Sequence, residues 1–200
     1  MKNFNVLNKI FLLATLLLSS YQVIVGGHGI HQITIWSYTT GFGVLVISSI
    51  IILILGFETF DKPLVVILFS LIPLSFANGL VSQLSTNLTP WYLIFTVIGF
   101  LIIIFTRFFK NKFLANVLLA IIHAIAGFTI LLLPIYLVVT QRYSSTLFFF
   151  SVGGVIMGLG GILFFYQNEE FFLGGNTKLK FLPGLLLLST ICFTIGLGAF

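Results

Sequence analysis

Charge is what this sequence has least of. Nine Lys and Arg with four Asp and Glu make up 6% of the chain, against roughly 25% in an average globular protein, too few to cover the surface of a soluble fold of 200 residues. The acids are Glu58, Asp61, Glu169 and Glu170. None lies inside a long apolar run, which argues against a proton- or cation-coupled pump built on buried carboxylates. A single cysteine, Cys192, excludes intrachain disulfides. Three histidines are too few for a four-histidine, two-haem arrangement, and the last apolar run has no Lys to form a retinal Schiff base. A phosphate-cradling glycine loop, a zinc-hydrolase helix motif and a serine nucleophile elbow are all missing, so no sequence motif specifies an enzyme or requires a cofactor.

What the chain does have is apolar length. Hydrophobic residues are 59% of it, the mean hydropathy is +1.22, and the apolar residues fall into runs of about 20, the length that crosses a bilayer as helix. The runs predict an all-α, polytopic membrane protein: one domain over residues 1–200, a compact bundle of about seven transmembrane helices. The expected spans are 7–25, 33–56, 64–82, 91–109, 114–138, 146–166 and 182–200. Glu58, Asp61, Lys62 and Pro63 mark one break, Ser85 to Pro90 another, and Lys110-Asn111-Lys112 a tight hairpin.

Counting Lys and Arg on alternate sides of seven spans puts Lys2, Lys9, Lys62, Arg107, Lys110, Lys112, Lys178 and Lys180 on one side and only Arg142 on the other. Positive residues stay inside, so the N-terminus is expected inside and the C-terminus outside, in a cytoplasmic membrane of the bacterial type. The net charge of +5 then has a topological cause and implies no nucleic-acid partner. Trp36, Trp91, Tyr92 and Tyr143 fall near the expected outer boundary, where interfacial aromatics belong. Lys2 and Lys9 before an apolar run imitate a secretory signal, but the run is long for one and the charge count works with it retained.

Polar residues within the runs are the candidate sites. His123 shares a helical face with Asn116, Ala120 and Gly127, a face expected to point into the bundle. His123 with Asn116 is a candidate for binding haem or quinone, against the plainer reading of an interhelical hydrogen bond. His28 and His31 form a candidate metal pair if the second helix starts early, though Gly26, Gly27 and Gly29 favour a loop and two ligands make a weak site. Gln22, Tyr38, Asn78 and Ser82 stand among polar stripes, with Thr15 and Ser19 on span one and Ser75 and Gly79 on span three. Together they suggest an uncharged pocket for a neutral solute, a lipid or a quinone head group, against the alternative that Ser and Thr bond their own helix. Gly154, Gly158 and Gly161 predict a small-residue face for close helix packing, within the chain, with a membrane protein partner or in a homo-oligomer.

The leading functional expectation is a non-enzymatic accessory or scaffold subunit packing against partner helices or membrane lipid. A small permease for an uncharged or lipophilic solute comes second, and a quinone- or haem-binding redox subunit third.

Overall fold

The computed structural model describes residues 5–26, 31–56, 59, 62–109, 112–165 and 181–198. Among these residues it holds seven α-helices: α1 (Val6–Val25), α2 (Gln32–Leu55), α3 (Pro63–Leu84), α4 (Thr89–Arg107), α5 (Lys112–Val139), α6 (Phe148–Phe165) and α7 (Leu182–Leu197), with a 3₁₀ turn at Ser145–Leu147 leading into α6. Their ends lie within three residues of the expected spans. Six are long and apolar enough to cross a membrane, and the chain is a helical bundle embedded in the bilayer. The seventh differs from expectation: its 16 residues rise about 24 Å, less than the ~30 Å of hydrocarbon.

The ends follow local chemistry. Pro63, Pro90 and Pro183 each occupy the first turn of a helix, where the missing N–H is no loss. Gly26 and Gly56 stop α1 and α2 at φ of 69° and 82°, backbone that L side chains resist.

Paired contacts give the direction of each packing. Between α2 and α3, Thr34 meets Ser82, Ser37 meets Asn78, and Gly41 lies under Phe76. As one partner's number rises the other's falls, so the helices are antiparallel. The same holds for Tyr92 with Thr129 and Gly99 with Ile122 across α4 and α5. It holds again for Gly196 with Phe150 and Gly153 with Phe193 across α6 and α7. Lys9, Lys62, Arg107 and Lys112 therefore gather at one end of the bundle, and Arg142 lies at the other.

Six helices close a ring: α1 packs on α2 and α7, α2 on α3, α3 on α5, α5 on α6, and α6 on α7. The remaining helix, α4, lies outside the ring against α3 and α5. The ring is filled by rings: Phe76 stacks on Phe193 with centroids 4.4 Å apart. Phe42, Phe150 and Tyr38 close around this pair at centroid separations of 5.0 to 6.4 Å. Aromatics this large fit between close helices because Tyr38, Phe76, Phe150 and Phe193 each lie on a glycine. A Cβ built on Gly79 would fall 2.6 Å from Tyr38, on Gly196 2.8 Å from Phe150, and on Gly153 2.9 Å from Phe193. Such contacts replace the hydrophobic effect, which lipid abolishes as a force between helices. A smaller cluster of Leu12, Ile52 and Leu182 fills the ring at its basic end.

Candidate functional site

Because α2 and α4 both flank α3 and α4 lies outside the ring, a cleft of about 450 Å³ remains between them. Ser75 and Asn78 of α3, both buried, form its floor. Ser37 and Thr40 of α2 and Thr96 and Phe100 of α4 belong to the walls. Exposed Trp36, Val97 and Leu101 stand at the mouth, which faces the lipid. The cleft starts at Gln32, the end of the bundle remote from Lys9, Lys62 and Arg107, and runs along α2 to Thr40, about 12 Å at helical rise. Among the described residues no Lys, Arg, Asp, Glu or His lines it.

The floor has one well-defined polar arrangement. Ser37 donates its only hydroxyl proton to the Ile33 carbonyl at 2.7 Å, so Ser37 Oγ acts as acceptor for Asn78 Nδ2 at 2.8 Å. That fixes the amide: the NH₂ points at Ser37, and Asn78 Oδ1 is left buried without a hydrogen-bond partner. Thr96 Oγ1, on the opposite wall, is likewise buried and unpartnered. Unmet buried polar atoms are uncommon and costly, and here two belong to residues that line one cleft, each covered in this conformation.

The residues singled out from the sequence are placed as follows. Asn78 and Ser75 belong to the cleft, where Thr40 of α2 joins them. Ser82 lies a turn beyond Asn78 and forms a 2.9 Å hydrogen bond with Thr34. Tyr38 faces the aromatic core, its hydroxyl buried without a partner, and Gln22 is buried on α1, which packs against α2 and α7. The four therefore do not line a common pocket. Ser37, Gln32 and Thr96 complete the polar lining, and sequence reading passed over them. Ser37 is one residue from Tyr38, and a 100° rotation separates core from cleft.

The face of His123 does not point into the bundle. The buried stripe of α5 is Ala115, Ile122, Ala126 and Ile130, whereas Asn116 and Ala120 are exposed and His123 half-buried. Ile122 and Ala126 win the interior because Gly99 of α4 receives Ile122, its built Cβ only 3.2 Å from that side chain. Asn116 Oδ1 accepts from Arg107 Nη1 at 3.2 Å, and Arg107 Nη2 also donates to the Ala115 carbonyl. His123 Nδ1 is 3.0 Å from the Leu119 carbonyl of its own helix. Thus Asn116 ties the α4–α5 hairpin while His123 is bound to its own backbone.

His28 lies outside the described residues. His31 is the exposed residue before α2, in extended backbone, so a helical i, i+3 relation does not apply to it. Among the described residues no group of three His, Cys, Asp or Glu can hold one metal ion. Of the glycines on α6, Gly154 receives Ile130 of α5, whose side chain would lie 2.6 Å from an added Cβ. Gly158 and Gly161 are exposed with nothing within 4 Å.

Compared with protein-family models, with curated proteins and with solved structures, the chain matches none.

Proposed function

We propose that the protein is a non-enzymatic component of a cytoplasmic membrane, of the bacterial type and with its N-terminus inside, that holds an uncharged amphiphile in the cleft between α2, α3 and α4. The observation that carries this reading is the cleft itself: about 450 Å³, within the ~300–1,000 Å³ of small-molecule sites, apolar at the mouth, polar and uncharged at the floor. Its mouth opens sideways, so a ligand enters from the bilayer. A passage along the ring axis is closed in this conformation by the Tyr38, Phe42, Phe76, Phe150 and Phe193 cluster, which supports lipid binding over solute transport through the centre.

The accessory reading gains a second contact from α6, where exposed Gly158 and Gly161 offer a partner helix or a second copy a close approach. Purification in nanodiscs, with mass spectrometry of everything that accompanies the chain, tests both. One lipid enriched over the bulk composition and lost with Asn78→Leu supports the cleft reading, and a stoichiometric protein lost with Gly158→Leu supports the partner. A chain carrying only bulk lipid, unchanged by either substitution, contradicts both.

A further inference from the structure

Resting on the cleft reading, the two unmet oxygens narrow the chemistry of the occupant. Asn78 Oδ1 can only accept a hydrogen bond, so the ligand must bring a donor. Esters, ethers, ketones and oxidised quinones, which only accept, leave Asn78 Oδ1 unmet. Phosphates and ammonium groups fail for another reason: no charged residue among those described lines the cleft, and a charge taken from water without a partner is heavily disfavoured. Thr96 Oγ1 can both donate and accept, so it complements a group that itself does both. A hydroxyl meets all of these conditions.

We propose that the cleft selects a neutral lipid with a free hydroxyl, whose O–H donates to Asn78 Oδ1 while Thr96 Oγ1 supplies a second hydrogen bond to the same polar end. The acyl or isoprenoid chain leaves through the mouth past Trp36, Val97 and Leu101 into the bilayer. Both oxygens are covered in the present conformation, so binding requires α4 to move outward. This helix has the smallest buried share of the six long ones and rests mainly against α3 and α5, which makes it the wall that yields. A hydroxyl lipid of this kind is a glyceride or an isoprenoid alcohol, and the two share the chemistry that the cleft reads.

Trp36 reports on the mouth, and Trp91→Phe leaves it the only tryptophan. Its fluorescence is measured in phosphatidylcholine nanodiscs holding an equal, low mole fraction of one brominated quencher. The four quenchers are a brominated diacylglycerol, its O-methyl ether, a brominated isoprenoid alcohol and brominated phosphatidylcholine. The expected result is that one or both alcohols quench as if enriched roughly 3- to 10-fold over the ether and the phospholipid, the value of one hydrogen bond to an otherwise unmet group. Which alcohol is enriched identifies the lipid class. Thr96→Val, nearly isosteric and on the helix outside the ring, lowers the preference without threatening the fold, and Asn78→Leu abolishes it. Equal enrichment of alcohol and ether overturns the hydroxyl assignment while leaving the cleft a binding site. No enrichment of any of the four contradicts the cleft reading itself.

Discussion

At the residue scale, the bundle is decided by pairs in which one side is glycine. Gly79, Gly153 and Gly196 hold no space for a methyl group, so Gly79→Ala is expected to destabilise by about 1–3 kcal/mol through displacement of Tyr38. Gly158→Ala meets nothing within 4 Å and is expected to be neutral or stabilising, since alanine is the better helix former. Denaturant titration of the two variants separates them, and equal losses would refute the packing described. The polar residues show why the site was only partly legible in the sequence. Thr15, Ser49, Ser70, Ser189 and Thr190 all bond carbonyls of their own helices, whereas Asn78 reaches a neighbour and keeps an oxygen unmet. Composition makes these residues look alike, because a hydroxyl's partner depends on which face its helix turns inward. The Thr34–Ser82 bond, 2.9 Å and buried, is expected to contribute about 0.6 kcal/mol in a double-mutant cycle of Thr34→Val and Ser82→Ala, the usual strength between membrane helices.

At the scale of elements, helix ends were legible and neighbours were not. Each apolar run is bounded by charge, proline or glycine, and these act locally, so the expected limits fall close to the observed ones. Which helices touch depends on faces, and in lipid the outward face is as apolar as the inward one. The exposed Ile47, Ile50 and Ile54 of α2 read no differently in sequence from buried Val44, Leu45 and Ile52. That α4 lies outside the ring, and so leaves a cleft beside α2, follows from packing alone. The same packing makes α4 the least anchored wall. Its hairpin with α5 is held by Tyr92 on Thr129 at 3.0 Å and by Arg107 on Asn116 and the Ala115 carbonyl. Tyr92→Phe with Arg107→Gln is expected to speed amide exchange along α4 several-fold and leave α2 and α3 unchanged. Uniform acceleration would mean that α4 moves with the ring. Phe76→Ala, by contrast, removes the central ring of the core, contacting Tyr38, Phe42, Phe150 and Phe193. A loss of about 3 kcal/mol or more is expected in unfolding measurements.

At the scale of the whole molecule, charge and core bear on orientation and on the proposed function. The basic residues gather at one end, so a cysteine placed at Lys62 in a Cys192→Ser background should react with an impermeant thiol reagent only from the inner side, and one placed at Arg142 only from the outer side. The reverse pattern would invert the orientation. An axis filled by aromatic side chains and a cleft opening to the side support the proposal of exchange with the bilayer rather than passage through the bundle. The most direct measurement is a photoreactive phenylalanine analogue placed at position 97, on the mouth of the cleft, or at position 121, exposed on α5. After illumination in native membrane, position 97 is expected to carry predominantly one neutral lipid and position 121 a mixture mirroring the bulk membrane. Adducts that mirror the bulk at both positions would contradict the account.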